Sequence, residues 1–177
     1  MTGDEIYELA GKRWGIIGLG AIGHKVALIA DAFGCDVQYY STSGKNHDNT
    51  VKEVSFDELL ATSDIISINA PLNDDTLGLI NRDALLKMKK DAILLNLGRG
   101  PIVNEEDLVA ALDDGIIAGA GLDVLCVEPM KKDSPFLVMK HPERIFITPH
   151  IAWASIEARR RLMKIIEEQI EEWLQKQ

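Results

Sequence analysis

Cysteine is nearly absent: the 177-residue chain carries only Cys35 and Cys126, far apart, with no CxxC spacing and no histidine at ligand intervals. That pattern excludes a disulfide-stapled scaffold and argues against a metal site, so both are expected to be small buried residues. Positive charge is also scarce, with 19 Lys and Arg against 28 Asp and Glu and a formal charge of −9. No basic run exists to neutralise a row of phosphates, and nucleic acid is not an expected partner. Long apolar stretches are missing too. The runs are strand-sized, such as Ala92 to Leu95, far below the ~20 residues that cross a bilayer. The first ten residues place Asp4, Glu5 and Glu8 where a secretory leader has a basic and then an apolar segment, so a cytoplasmic chain is expected. Internal repeats and low-complexity tracts are absent as well.

What remains is a regular alternation. From about residue 13 to residue 150, short apolar runs alternate with helical patterns and turn signals, the signature of repeated βαβ units. The expected strands are Trp14 to Gly18, Asp36 to Tyr40, Asp64 to Asn69, Ala92 to Leu97, Ile116 to Asp123 and Ile145 to Thr148. Helices are expected from Ala21 to Phe33 with Gly34 as the stop, after Ser55, from the Asn81 cap to Met88, and from the Asn104 cap to Gly115. Ser41 to Thr50 is polar and is expected to be a loop. The fold class is therefore α/β, a Rossmann-type doubly wound parallel sheet, in one dinucleotide-binding domain over residues 1–177 with a C-terminal helix. That helix, of about twenty residues from Trp153, repeats Leu162, Met163, Ile166, Ile170, Trp173 and Leu174 at helical spacing, so one face needs a cover.

Gly18-Leu19-Gly20-Ala21-Ile22-Gly23 is a GxGxxG that directly follows a strand and opens a helix. Gly18 permits the tight turn, Gly20 lets a pyrophosphate approach the backbone, and Gly23 lets the helix lie close on the strand. The first amides of the helix, from Ala21 and Ile22, then face the negative charge. The second strand of such a unit ordinarily ends in an acid that binds the adenosine ribose. Here Ser41 stands in that place, followed by Lys45. A carboxylate there repels a 2′-phosphate by a few kcal/mol at ~4 Å. Without it, NAD and NADP both fit, with NAD slightly favoured, and the loop is equally readable as plain solvated chain.

Four later segments complete the pattern: Asn96-Leu97-Gly98-Arg99-Gly100-Pro101, Gly121-Leu122-Asp123-Val124, Glu128-Pro129, and Thr148-Pro149-His150-Ile151-Ala152-Trp153-Ala154-Ser155. In this order on a Rossmann frame they resemble the D-isomer-specific 2-hydroxyacid dehydrogenase family, over nearly the whole chain. The resemblance implies an oxidoreductase that moves hydride between a nicotinamide cofactor and a small 2-hydroxy acid. It makes Arg99 the binder of the substrate carboxylate, work suited to a planar guanidinium. His150 becomes the acid-base group, with Glu128 as the partner that fixes its tautomer. It also places Ala70, Pro71, Leu97, Gly98 and Asp123 along the cofactor, Asp123 at its nicotinamide end, with a turn role as the competing reading for Asp123. Pro101 and Trp153 lean toward the branch that handles glycerate, hydroxypyruvate and glyoxylate.

The family's substrate-binding domain is built from segments on both sides of the nucleotide domain, and neither segment is in this sequence. The chain is therefore expected to bind cofactor with little turnover by itself and to associate as a homodimer. An NAD(H)-sensing interaction module of the corepressor type is the alternative from another functional class.

Overall fold

A computed structural model describes residues 6–45 and 47–176. Asp4 and Glu5, part of the reading of the first ten residues, lie outside the described residues. Strand β1 (Arg13–Ile17) leads into helix α1 (Ala21–Ala32), and strand β2 (Asp36–Tyr40) follows. Next come β3 (Lys52–Glu53), α2 (Phe56–Thr62), β4 (Ile65–Ile68), α3 (Arg82–Lys87) and β5 (Ile93–Asn96). The chain ends with α4 (Glu105–Asp113), β6 (Gly119–Leu122), β7 (Ile145–Ile147) and α5 (Ile156–Gln175). The seven strands form one sheet in the order β3-β2-β1-β4-β5-β6-β7, and every pairing is parallel.

Local chemistry sets most of the boundaries. Ser55, Asn81 and Asn104 each accept a hydrogen bond from the amide three residues on, at 3.2, 3.1 and 3.0 Å, and so start α2, α3 and α4 where expected. Gly34 takes φ 79° and ends α1, a conformation that side chains resist. The C-terminal helix starts later than expected: Ser155 caps it at Ala158 N, 3.1 Å, so Trp153 lies in the preceding turn. Strand β6 is shorter than its apolar run, because Ile116 and Ile117 belong to the turn leaving α4, where the Ile116 amide donates to Ala111 O. The two-residue strand β3 has no apolar signal at all, since both its residues are charged and exposed.

The larger core packs α2, α3 and α4 against one face of the sheet, around Leu59, Ile66, Leu85, Leu94 and Leu108. A smaller core around Ile16, Ala27 and Tyr39 lies under α1 and the 41–51 loop on the other face. Over β5 to β7 that second face stays open. Ile93 and Phe146 are exposed and Leu95 is half-buried, with Gly119 and Gly121 flat between them. The apolar face of α5 is likewise uncovered, with Met163 64% and Ile170 53% exposed. Among the described residues no helix is long and apolar enough to cross a membrane.

Cys35 is buried, as expected, but Cys126 is exposed. It sits in the loop after β6, where its amide donates to Glu105 and only its sulfur turns inward toward Val103 O. Burial of that sulfur, with Glu105 beside it, pushes the thiol up to about 11.

Candidate active site

The parallel sheet collects the ends of its strands at one edge, and the candidate site residues lie in the loops along it. Strand order reverses between β1 and β4, so a crevice opens there, between Gly18 after β1 and Ala70 after β4. Gly18 adopts φ 90°, and a Cβ on it would stand 2.9 Å from the Ala70 backbone. Gly23 has a different constraint: a Cβ there would stand 2.3 Å from the Gly18 carbonyl oxygen, so only glycine lets α1 begin this close to β1. Around Gly20 nothing lies within 4 Å of such a Cβ. Its missing side chain leaves open approach to the backbone at the start of α1, as a pyrophosphate requires.

A cleft of about 460 Å³ continues from that crevice, lined by Ile22, Asn69, Ala70, Pro71, Leu72, Leu97, Gly98 and Arg99. Three of its apolar side chains are exposed, Ile22 at 68%, which suits the faces of a flat ring system. Ser41, at the end of β2, is 7% exposed, and its hydroxyl is buried without a hydrogen-bond partner among the described residues. An orphaned buried hydroxyl beside an open glycine cradle fits a dinucleotide, whose ribose carries groups to pair with it. Lys45 is exposed nearby in the chain.

Glycines also bring the neighbouring loops together. A Cβ on Gly98 would lie 2.9 Å from Ala70 O, and one on Gly100 would lie 2.0 Å from the Leu125 backbone. The loops after β4, β5 and β6 thus stack edge to edge with no side chain between them. On the far side of this stack Glu128 meets His150. The ring nitrogen Nδ1 of His150 faces Glu128 Oε2 at 2.8 Å, while Glu128 Oε1 accepts the Leu125 amide at 2.9 Å. The Leu125 amide and then His150 hold the Glu128 carboxyl below its usual range. Because a carboxylate only accepts, Nδ1 carries the proton and Nε2 is left for proton exchange.

Asp123 is the organiser of the His150 loop. Its Oδ1 accepts Thr148 Oγ1 at 2.5 Å and the Ile151 amide at 2.9 Å, and Oδ2 accepts the Ala152 amide at 2.9 Å. Burial pushes this carboxyl up, but Thr148, Ala152 and Ile151 together outweigh it and hold it low. The clamp lets His150 keep φ 55°, a left-handed conformation that is strained for a side-chain-bearing residue. A cavity of about 440 Å³ joins Asp123, Leu125, Glu128, Met130, Thr148 and His150.

The structure thus brings Glu128 and His150 together, and Gly18, Gly20, Ala21, Ile22 and Gly23 form the loop and helix start. Arg99 lines the neighbouring cleft rather than the His150 cavity, with Nη1 donating to Gly98 O at 2.7 Å. Sequence reasoning missed Thr148, the Leu125 amide and the contact glycine Gly100. Thr148 alone had a signal, a hydroxyl two residues before His150. Among the described residues no group of acids, histidines or cysteines is placed to hold a metal.

Comparison with known proteins agrees with this architecture. The chain is 45% identical over 172 residues to a hydroxypyruvate reductase of Blautia hydrogenotrophica, covering 96% of this chain and 52% of that protein. A D-lactate dehydrogenase of Aquifex aeolicus, solved with NAD and lactic acid, superposes with a TM-score of 0.88 at 28% identity, covering 98% of this chain and 57% of the other. An acyclic imino acid reductase, Bsp5, solved with NADPH and D-Arg, gives a TM-score of 0.87 at 38% identity, covering 96% and 53%. The chain spans about half the length of the relatives it matches. With residues 2–152 matching its NAD binding domain, the chain belongs to the D-isomer specific 2-hydroxyacid dehydrogenase family.

Proposed function

We propose that this chain is the cofactor-binding part of an oxidoreductase for small D-2-hydroxy acids, with glycerate, hydroxypyruvate and glyoxylate the favoured substrates. The observation that carries the reading is one sheet edge holding both the glycine-cradled cleft and, beside it, the His150–Glu128 pair. The nicotinamide supplies or takes the hydride. His150 exchanges the accompanying proton at Nε2 with the substrate oxygen on carbon 2, and Glu128 keeps the ring oriented and stabilises its cationic form. Arg99, on the lining of the glycine-cradled cleft, binds the substrate carboxylate once its guanidinium leaves Gly98 O. The name of the Blautia relative supports the substrate class. The cytoplasm is the proposed location, consistent with two free thiols.

Alone, the chain is proposed to bind cofactor and to turn over little. Holding reactants in register supplies ~7–11 kcal/mol of barrier reduction, against ~10²–10⁴-fold from one acid-base group. Arg99 and His150 line separate cavities here, so register is the missing part. Titration with NADH and then NADPH, followed by energy transfer from Trp14, tests the reading. Saturable binding of both is expected, NADH somewhat tighter; NADPH is admitted because Ser41 presents no carboxylate to a 2′-phosphate and Lys45 offers it a cation. No binding of either overturns the cofactor assignment, and steady hydroxypyruvate reduction by the chain alone overturns the proposed lack of turnover.

A further inference from the structure

His24, one residue past the glycine motif, takes no part in the chemistry above, yet it is held at both ring nitrogens. Nδ1 lies 2.9 Å from the Gly20 carbonyl oxygen and Nε2 lies 2.5 Å from Asp48 Oδ2. Both partners are acceptors only, so both nitrogens need a proton and the ring is an imidazolium. A neutral ring satisfies one of the two and turns a lone pair on the other. The Gly20 carbonyl and then Asp48 raise the His24 pKa above its ordinary 6.5, in line with this geometry.

The two partners belong to the two segments that frame the cofactor. Gly20 is the open glycine of the cradle. Asp48 sits in the 41–51 loop, which leads from Ser41 and Lys45 to β3 and whose described residues form no helix. Asp48 ties that loop together: Oδ1 accepts the Thr50 amide at 2.6 Å, the Val51 amide at 3.2 Å and the Thr50 hydroxyl, while the Asp48 amide donates to the buried Tyr39 hydroxyl at 2.9 Å. Tyr39 in turn reaches Glu53, which pairs with His47. The remaining charged groups along the His24 groove are Asp31 of α1, Asp36 of β2 and Lys52 of β3.

We infer that His24 is a positioning residue for the dinucleotide: as a cation it ties the 41–51 loop to the glycine loop and adds positive charge to the first turn of α1, so affinity falls when the ring loses its second proton. This rests on the cofactor reading above. Linkage fixes the sign. A group that binds its proton more tightly in the cofactor-ready state favours that state below its pKa, and the contribution is lost as pH rises through it. By reciprocity, bound cofactor must raise the His24 pKa.

The test uses NADH, whose pyrophosphate does not titrate between pH 6 and 9. Wild-type affinity is expected to fall by about three- to tenfold across that range, the effect of one charge at a helix terminus. His24→Gln is expected to bind more weakly at pH 6 and with a flat profile, while His141→Gln, an exposed histidine paired with Glu143 away from the cleft, keeps the slope. Independently, the His24 ring titration, followed by NMR in the wild-type chain with and without saturating NADH, is expected to move to higher pH with the cofactor. A His24→Gln profile parallel to wild type, or an unmoved His24 titration where NADH binds, overturns the inference alone. NADH binding at no pH overturns it together with the cofactor reading. If His24→Gln does not fold, the wild-type NMR titration decides.

Discussion

At the scale of single residues, the site's behaviour turns on which acceptor faces which donor. Asp123 is the sharpest case, because the resemblance assigns it to the nicotinamide, whereas the geometry gives both its oxygens to the loop of His150. The two roles separate experimentally. Asp123→Asn keeps the shape but turns an amide donor toward backbone N–H groups, and with the carboxylate 7% exposed the lost bonds are expected to lower stability by about 1–3 kcal/mol. Urea unfolding at pH 7 measures this; unchanged stability would mean that the clamp contributes nothing. The sign with pH follows from the lowered folded pKa. The stabilisation is fully present above the ordinary 3.8 and disappears as pH falls through the folded value. The variant is expected to lack this acid-dependent loss. Residue type and spacing leave His150 and Glu128 readable as a loop histidine and a solvated charge, and only the family resemblance singles them out and pairs them. Spacing could not do so, because 22 residues separate Glu128 from His150 and only the stacking of separate strand ends closes that gap.

At the scale of elements, the glycine loop separates two demands that the motif's spelling merges. Gly23 is required by the fold, whereas nothing in the fold requires Gly20, which leaves the proposed ligand to account for it. Gly23→Ala places a methyl 2.3 Å from a backbone oxygen, and overpacking of this kind is expected to lower stability by about 1–3 kcal/mol, in spite of alanine's better helix propensity. Gly20→Ala meets nothing within 4 Å and already has φ −87°, so its thermal midpoint is expected to stay near wild type while NADH affinity drops by about tenfold or more, the methyl standing where the pyrophosphate approaches. Thermal unfolding and NADH titration of both variants check the pair; equal affinity for Gly20→Ala would mean that the cradle is not the phosphate site. The same contrast explains which elements could be read in advance. Strands such as Ile65–Ile68 are buried on both faces and announce themselves by composition. Lys52–Glu53 is a strand of two exposed charged residues, joined to β2 by its ladder and by the Tyr39 hydroxyl on Glu53, and Asp48 locks the preceding loop; no periodicity encodes these contacts.

At the scale of the whole molecule, the parallel α/β sheet and the glycine loop after its first strand followed from alternation and the glycine motif, but the covering of α5 did not, because an apolar stripe specifies a partner's chemistry without its identity. The structure leaves two apolar surfaces open at once, the α5 stripe and the β5–β7 sheet face around Ile93 and Phe146. We propose a second copy of this chain as the cover. The charges of α5 favour it: Arg159, Arg160, Arg161 and Lys164 occupy the first half and Glu167, Glu168, Glu171 and Glu172 the second. Antiparallel pairing of two such helices sets each basic half against an acidic half, and a parallel pair sets like against like. Sedimentation velocity is expected to show a dimer that dissociates on dilution. Met163→Glu with Ile170→Glu is expected to yield a monomer that keeps the wild-type unfolding midpoint and NADH affinity, since both side chains are already exposed in the single chain. A wild-type chain that sediments as a monomer at high concentration overturns the dimer. A double variant that remains dimeric moves the interface to the open sheet face, where Phe146→Glu then becomes the substitution that must dissociate it.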